Sequence, residues 1–507
     1  MEVMVALQAG DMEGPAGVVD RCLQRKWGAH LHIYTDGSKD PASGRAGFAI
    51  HIPKLQIIQD DLIRASGVCQ FWYEAAVTPW LWRQMCLQRW TFCNVARSEC
   101  GKGTWKSYYL QRARLEYGME TGRSGADYTC RSLRGHTGSV VGLVYLVGNN
   151  ADISNATSVV CSASTDGTVR AWDVQQGEQL WATPTQGPLC EITVDPKLGT
   201  LFTSDTAGKV SAWEGLSGKE VASFSTSSSG CKLLAYSVED QSVLVAGTSR
   251  GSLHTLTSPS LSQLSHHMVF DTFKINLLIS SPDKKWLFAG TQESSDTSPK
   301  VFSSENLSCP SEDESPLCQS FPVSGCCAAA FLPSEPARLV LIHNTENRDN
   351  NTVSVFNISM KKSKYKVDIL VEQVETFQLA AGGRHPEVVL QTQGSDTLVV
   401  AMSNTLRVYT LKGVMLTSFE DHTQPITALC VDGFRVVTAS RDLSLRVFTW
   451  KKERNKGRTL QSKFQLLGGS HTMSRGFTKV ACDYVSIVAS VQSVNGKDVL
   501  KAYSFNT

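Results

Sequence analysis

The sequence predicts a mostly β protein in which one small antiparallel sheet is repeated around a ring, a β-propeller. Residues 161–173 have the pattern of an apolar strand, an Asp-Gly hairpin turn and an alternating strand. This unit recurs, because Trp172 and Trp213 lie 41 residues apart and Gly167 and Gly208 share that spacing. At 507 residues the chain is too long for one ordinary compact domain, whereas a repeat architecture has no such limit.

The first copy of the unit resembles a WD40 repeat, since a Gly-His pair precedes it and a Trp-Asp pair closes it. Four of its polar side chains are predicted to form a buried relay. We expect Ser164 and Asp166 both to bond the His136 imidazole, and Ser164 also to accept a hydrogen bond from the Trp172 indole. Because buried polar groups need partners, such a set would fix the stacking of the strands.

The seventh copy is nearly a repetition of the first. His422, Ser440 and Asp442 occupy the positions of the first relay, and Phe448 replaces the tryptophan. The middle copies keep apolar strands but lose most of the polar residues, and the fourth has a degenerate turn at 281–286. We therefore predict a structural role for the relay in the first and seventh copies.

We place the propeller over residues 128–507. The copies number eight, or seven if the fourth or fifth is an irregular loop. The eighth copy lacks an outer strand, and residues 128–134, which precede the first copy, can supply one. That exchange would pair the two ends of the propeller and remove the exposed edges of an open ring.

Upstream, over residues 60–95, apolar residues recur at helical spacing. Two helices are predicted, the second opened by Thr78-Pro79, because proline is favoured at the first helical position. The run resembles the second half of an F-box, and an ordinary pair of core helices is the alternative. The Leu-Pro start and first helix of that family are absent. The residues that match family positions, and that the resemblance makes candidates for binding the Skp1 adaptor, are Leu62, Val68, Cys69, Trp72, Leu81 and Trp82.

A third helix is predicted over residues 104–117. Thr104 can cap its start, and Gly118 follows directly where a helix C-terminus favours glycine. The segment resembles the linker helix that joins F-box to propeller in F-box/WD-repeat proteins.

The first 59 residues are predicted to be largely irregular. Within them, residues 31–55 resemble the first hairpin of a ribonuclease H domain of the retrotransposon type, in which Asp36 would be the first metal-binding carboxylate. That chemistry needs several carboxylates around two cations roughly 4 Å apart. A single carboxylate cannot hold such a site, so we expect a fragment without activity and no metal.

Composition points to a soluble intracellular protein. The 49 Lys and Arg residues nearly balance 47 Asp and Glu, which argues against nucleic acid or an anionic membrane as a partner. The 15 cysteines show no C-x-x-C pair, and no window is long and apolar enough for a signal peptide or a membrane span. We expect reduced thiols and a cytoplasmic, and also nuclear, location.

No catalytic constellation or cofactor motif is evident. Residues 247–251 satisfy G-x-S-x-G, but that motif requires a strand followed by a helix. Here residues 252–256 alternate like a strand, and the segment is in register with two other blade turns. We therefore predict a non-catalytic protein without a cofactor.

The resemblance to the F-box/WD-repeat family implies a substrate-recognition subunit of an SCF-type ubiquitin ligase. The F-box would bind Skp1, and through it a cullin, while one propeller face would bind the substrate protein. Arg250 and Arg441 lie in turns between second and third strands, where they could bind an acidic or phosphorylated segment; solvated surface arginines are the alternative. A plain propeller scaffold, uncoupled from ubiquitin by the incomplete F-box, is the other function considered. The degenerate middle copies and residues 281–286 and 503–507 indicate one subgroup of the family.

Overall fold

A computed structural model describes most of the second part of the chain and portions of the first. The chain divides into two compact units, Met1–Leu110 and Gln111–Thr507. The described residues are 7–8, 32–39, 46–51, 70, 73, 78–89, 105–146, 158–238, 241–309, 316–344, 351–362, 367–379, 387–453, 457–469 and 473–505.

The first unit contains a three-stranded antiparallel sheet with the order β1-β3-β2. The hairpin predicted after residue 31 is present, because the second and third strands pair with an irregularity between Thr35 and Lys39. A hairpin alone does not establish a ribonuclease H fragment, so that resemblance stays a prediction. The strands are β1 (Leu7–Gln8), β2 (His32–Lys39) and β3 (Ala46–His51).

Helix α1 (Pro79–Arg89) begins at the predicted proline. The Leu81 backbone amide donates to the Thr78 carbonyl over 3.1 Å, which closes the first turn. Of the helix predicted before it, the structure describes Gln70 and Tyr73, both helical. Leu62, Val68, Cys69 and Trp72 lie outside the described residues.

Helix α2 (Trp105–Thr121) is longer than predicted. Gly118 lies inside it, and the chain leaves the helix at Gly122, whose φ is +59°. A Cβ on Gly118 would make ordinary contacts at 3.6 Å, whereas one on Gly122 would lie 2.2 Å from the Phe464 ring. Asp127 holds this end by accepting from the Thr121 hydroxyl over 2.7 Å and from the Arg123 amide over 2.8 Å. The predicted glycine stop was therefore four residues early.

The second unit is a β-propeller of eight four-stranded antiparallel sheets, which confirms the predicted fold and the higher blade count. Blades are numbered in chain order, and each runs from its innermost to its outermost strand. The first strand of the unit, β4 (Thr129–Leu133), belongs to the last blade. Blade 1 is β5 (Val140–Leu146), β6 (Val159–Ser164), β7 (Val169–Asp173) and β8 (Gln179–Ala182); blade 2 is β9 (Leu189–Val194), β10 (Thr200–Asp205), β11 (Lys209–Glu214) and β12 (Glu220–Ser225).

The middle blades keep four strands each despite their degenerate sequences. Blade 3 is β13 (Cys231–Val238), β14 (Gln241–Thr248), β15 (Ser252–Thr257) and β16 (Gln263–Met268); blade 4 is β17 (Leu277–Ser280), β18 (Trp286–Gly290), β19 (Lys300–Ser303) and β20 (Cys318–Ser320), with the short helix α3 (Ser304–Ser308) before its last strand. Blade 5 is β21 (Cys326–Phe331), β22 (Arg338–Asn344), β23 (Asn351–Lys362) and β24 (Val367–Gln378).

The last three blades complete the ring. Blade 6 is β25 (Val388–Gln393), β26 (Thr397–Met402), β27 (Thr405–Thr410) and β28 (Met415–Phe419); blade 7 is β29 (Ile426–Val431), β30 (Arg435–Ser440), β31 (Ser444–Glu453) and β32 (Gly457–Leu467). Blade 8 is β33 (Ser474–Cys482), β34 (Ser486–Ser493) and β35 (Val499–Ser504), followed by β4.

Burial follows strand position within each blade. Second strands such as β10, β26 and β30 are buried along their whole length, whereas the outer strand β12 alternates between exposed and half-buried residues. This explains why the second strands are continuous apolar runs, since both of their faces pack against neighbouring blades. The resulting core is a series of apolar layers between adjacent sheets.

The ring closes in the predicted way. Strand β4 pairs antiparallel with β35, from Leu133 opposite Leu500 to Thr129 opposite Ser504. The innermost strands contact one another in sequence, and that of blade 8 contacts that of blade 1. Asp498 adds a bond across the closure by accepting from the Val140 amide over 2.9 Å. The two ends of the propeller are thus held in one sheet.

Candidate functional site

The relay of blade 1 is built around a buried imidazole. His136 lies in the segment between β4 and β5, and its Nδ1 is 2.9 Å from the Asp166 carboxylate in the turn after β6. The His136 Nε2 is 2.8 Å from the Ser162 hydroxyl, and the Trp172 indole donates to the same hydroxyl over 2.9 Å. Because a carboxylate can only accept, the ring proton sits on Nδ1 and Nε2 accepts from Ser162.

The hydroxyl between the two rings is therefore Ser162 and not Ser164, which corrects our prediction. Trp172 pairs with Val160 on the neighbouring strand, so Ser162 is its diagonal neighbour on the same face. Ser164 shares that face but lies two residues, or about 7 Å, nearer the turn. Its hydroxyl instead accepts from the Asp166 amide over 3.2 Å, which shapes the turn.

A second hydroxyl completes the relay and was not foreseen. Thr168 donates to Asp166 over 2.7 Å, and its oxygen lies 3.3 Å from the His136 Nδ1. The Asp166 carboxylate also accepts from the Thr137 amide over 2.8 Å. The sequence could have indicated Thr168, because this hydroxyl residue directly follows the Asp-Gly turn and precedes the third strand.

Blade 7 repeats this arrangement with one donor fewer. His422 Nδ1 is 2.9 Å from Asp442, and its Nε2 is 2.7 Å from the Thr438 hydroxyl. Thr438 therefore takes the place that we predicted for Ser440, whose hydroxyl donates to the Gln424 carbonyl over 2.9 Å. Phe448 fills the tryptophan position and makes no polar contact to Thr438. The centroid of its ring lies 4.8 Å from that of the Phe419 ring. The same strand geometry explains both corrections, since Val436 opposes Phe448 as Val160 opposes Trp172.

The electrostatics of the two relays favour neutral imidazole and ionised carboxylate. Burial lowers the pKa of His136 and of His422, against the opposing effect of the neighbouring aspartate. Burial alone would raise the pKa of Asp166, but hydrogen bonds from Thr168, Thr137 and His136 lower it to about 2. The pKa of Asp442 is lowered in the same way. The lowered pKa of both groups favours a neutral ring beside a charged carboxylate at neutral pH, which suits a structural role.

Arg250 and Arg441 lie where the sequence placed them, in exposed turns between the second and third strands of blades 3 and 7. These blades are four positions apart in a ring of eight, so the structure does not bring the two arginines together. In the turn of blade 7, the buried Leu443 adopts a φ of +62°, where blade 1 has Gly167 at +78°. Among the described residues, neither arginine side chain has a hydrogen-bond partner.

In the first unit, α1 presents one apolar face inward and one outward. Trp82 is 1% exposed, and its ring meets that of Tyr109 edge-on at 5.4 Å. Leu81 is half-buried, while the preceding Trp80 is 41% exposed. Of the two predicted Skp1 contacts that the structure describes, Leu81 is accessible and Trp82 is a core residue. Trp80 was not singled out from the sequence, although its spacing from the buried Met85 could have indicated an outward position.

Matches to known protein families fall on each of the two units. A family model described as F-box-like matches residues 55–88, and one described as WD domain, G-beta repeat matches residues 128–173 and 413–449. F-box/WD repeat-containing protein 12 of Homo sapiens is 29% identical over 453 residues, 88% of this chain and 96% of the relative. The similarity to this F-box/WD repeat-containing protein thus extends over most of both chains. F-box/WD repeat-containing protein 15 of Mus musculus is 23% identical over 470 residues, 90% of this chain and 99% of the relative.

Among solved structures, the crystal structure of the computationally designed Ika8 protein matches with a TM-score of 0.53 and 20% identity. The match covers 74% of this chain and 98% of the designed one, and it shows the fold alone. The two WD repeat matches fall on blades 1 and 7, the two that carry the His–Asp relay. In this chain, the two blades with the relay are thus the two that the WD repeat model matches.

Metal-ligand groups and membrane-spanning helices were both absent among the described residues. No group of three or more His, Cys, Asp or Glu side chains there is placed to hold a metal ion. None of the described helices is long and apolar enough to cross a membrane.

Proposed function

We propose that the protein is a non-catalytic substrate-recognition subunit of an SCF-type ubiquitin ligase. The observation that supports this most is the combination of an F-box-like match at residues 55–88 with a closed eight-bladed WD40 propeller after it. In this role the F-box-like region binds Skp1, which bridges to a cullin, and the propeller binds the substrate protein. Ubiquitin transfer is then accelerated by proximity, because a bound substrate lysine meets the charged conjugating enzyme as if in one molecule.

The F-box-like region has only part of the usual binding surface. Trp80 and Leu81 on α1 are accessible to a partner, whereas Trp82 is committed to the core of the first unit. A few anchors usually carry most of the energy of an interface, and tryptophan is prominent among them. The Leu-Pro start and first helix of the family are absent from the sequence. We therefore expect Skp1 binding that depends on Trp80 and is weaker than that of a complete F-box.

The test is capture of purified Skp1 by the full chain and by a chimera in which residues 1–59 are replaced by an intact F-box start. We expect the chimera to bind at least about tenfold more tightly, since each 1.4 kcal/mol of lost contact is a factor of ten. Trp80→Ala should weaken both proteins, while Tyr117→Ala, which removes an even more exposed aromatic outside the F-box-like match, should weaken neither.

Two outcomes would contradict parts of this proposal. Equal recovery of Skp1 by chain and chimera would show that the remaining helices suffice and that the missing start is irrelevant. Failure of both to bind would overturn the ligase role and favour a propeller scaffold that is not coupled to ubiquitin.

The substrate would dock on the propeller face that carries the turns between second and third strands. Arg250 and Arg441 are exposed on this face and can bind phosphate or carboxylate groups through two parallel hydrogen bonds. Arg250→Glu and Arg441→Glu should each remove a different set of captured proteins, because the two turns are four blades apart. Quantitative affinity capture from cells checks this, with Lys219→Glu in an exposed turn between third and fourth strands as the control. An interactome unchanged by either reversal would dispose of the arginines as substrate contacts.

A further inference from the structure

The outermost strand of blade 5 is a long free edge. Strand β24 has twelve residues, of which seven are exposed, and it stands last in the strand order of its sheet. The outer strands of blades 1, 2, 3, 4, 6 and 8 have three to six residues. Alternate residues of an edge strand direct their N–H and C=O groups away from the sheet, where another extended chain can pair with them. Strand β24 is therefore the longest such template among the eight outer strands.

Strand β24 lacks the residues that usually protect a sheet edge. Lysine and proline serve that purpose in natural sheets, and residues 367–378 contain no Lys, Arg or Pro. The comparably long outer strand of blade 7, β32, contains Arg458 and Lys463. Strand β24 instead exposes 40–45% of three apolar residues, Val367, Leu370 and Val374.

A cavity of about 570 Å³ adjoins this strand between blades 5 and 6. Glu375 of β24 lines it on the side of blade 6, because Glu375 opposes Val355, which belongs to the apolar layer between these two blades. The other walls are the turn before β22 in blade 5 and the turns before β26 and after β27 in blade 6. The volume is that of an ordinary ligand pocket. A side chain that points toward blade 6 from a strand added beside β24 can enter it.

The lining of the cavity carries an excess of negative charge. Three carboxylates line it against two cations, and one of the cations is already held. The Nε of Arg338 donates to Asn357 over 2.9 Å, and its Nη1 lies 4.0 Å from the Glu335 carboxylate. Glu375 is half-buried and, within the described part of the chain, has no hydrogen-bond or ion-pair partner. Since charges interact more strongly where protein displaces water, Glu375 favours a cation in this cavity.

We propose that an extended segment of the substrate protein pairs with β24 as a fifth strand of blade 5 and places a Lys or Arg side chain in the cavity, against Glu375. Main-chain hydrogen bonds along the edge supply affinity, and the basic side chain supplies specificity. The added strand also covers the exposed apolar residues of β24. This proposal rests on the substrate-binding role proposed above, and it adds a contact on the outer rim of the ring to the face that carries Arg250 and Arg441.

The test measures peptide binding to the purified full chain by fluorescence anisotropy, without Skp1. The probe is an eight-residue fluorescein-labelled peptide that alternates valine and threonine around one arginine. We expect it to bind with a Kd below about 1 mM, and a version with glutamate in place of arginine to bind at least about tenfold more weakly, because a charge-assisted bond is replaced by repulsion. Of two versions that are N-methylated on one or the other set of alternate amides, one should lose binding and one should keep it, because only one set faces β24.

Glu375→Arg should reverse the preference, so that the glutamate peptide binds more tightly than the arginine peptide. The control is Glu420→Arg, which reverses an exposed carboxylate directly after β28 in blade 6, outside the cavity. This variant should keep the preference for arginine.

Three results with the wild-type chain would overturn the proposal, and none of them needs a variant to fold. These are no binding of the arginine peptide at about 1 mM, equal binding of the arginine and glutamate peptides, and equal binding of the two methylated peptides. Because Skp1 is absent from this assay, such a failure is distinct from a failure of Skp1 capture, which would overturn the ligase role and leave the strand addition standing.

Discussion

Arg435→Ala is expected to lower the free energy of unfolding by about 3–5 kcal/mol, the usual effect of breaking a buried ionic network by removing one partner. Arg435 opens β30, and its side chain is 1% exposed. It joins three parts of the second unit: the Asp432 turn of blade 7, the Asp483 turn of blade 8, and Met119 of α2, whose sulfur lies 3.2 Å from Nη1.

The size of this effect follows from what alanine would leave behind. The carbonyls of Asp483 and Ser486 would lose a charged donor in a buried position, and the space of a large side chain would be left empty. Arg435→Lys keeps the charge, but one ammonium cannot replace a planar fork that reaches Asp432 and both carbonyls. We expect an intermediate loss for this variant.

Denaturant unfolding of the full chain measures these differences. Arg475→Ala is the control, because it removes an exposed arginine from β33 in the neighbouring blade. Its effect should stay within about 0.5 kcal/mol, as for most surface substitutions. If Arg435→Ala unfolded no more easily than Arg475→Ala, the bonds that join blades 7, 8 and α2 through this side chain would contribute nothing to stability.

The architecture could be predicted from the sequence because the signals for strands and turns are local in the chain. Apolar strands, Asp-Gly turns and a fixed spacing predicted eight blades, and the unpaired strand after residue 128 predicted how the ring closes. Even blade 4, whose turn is degenerate, forms all four strands. Its apolar strands pack between neighbouring sheets, so packing compensates for a poor turn, with Lys284 taking a φ of +61° there.

Position along a strand was harder to predict than the strand itself. Ser162 and Ser164 share a face because side chains alternate with a period of two, and the sequence alone could not tell which serine reaches both rings. Likewise, Gly118 and Gly122 both carry the signal of a helix end, but the Phe464 ring from blade 7 leaves room only for a glycine at the second. Arg435 gave no signal at all, since its partners come from turns and a helix distant in the chain.

Ser162→Ala is expected to destabilise the protein by about 1–3 kcal/mol, because it leaves the His136 Nε2 and the Trp172 indole without their shared partner. Ser164→Ala is the matched control, since both serines are fully buried in β6. Ser164→Ala should lower the free energy of unfolding by less, because the Ser164 hydroxyl contributes to the relay only by accepting from the Asp166 amide over 3.2 Å. Equal shifts of the unfolding midpoint in both variants would contradict the assignment of Ser162 as the relay hydroxyl.

His136→Ala and His422→Ala should each lower the free energy of unfolding by about 1–3 kcal/mol at neutral pH, since each leaves a buried carboxylate without its imidazole donor.

The pH dependence of this loss is a sharper test of the structural role of the two histidines. Both imidazoles have a lowered pKa in the folded state, so unfolding takes up protons below the ordinary histidine pKa of about 6.5. The stabilisation by the two imidazoles is complete above that pH and is lost as the pH falls through their folded-state pKa. The free energy of unfolding of the wild type should therefore exceed that of either alanine variant by less at about pH 5 than at pH 7.5, as measured by urea unfolding at each pH. A difference that grew as the pH fell would show that the relay histidines are charged in the fold, and would make the His–Asp contacts ion pairs in place of neutral hydrogen bonds.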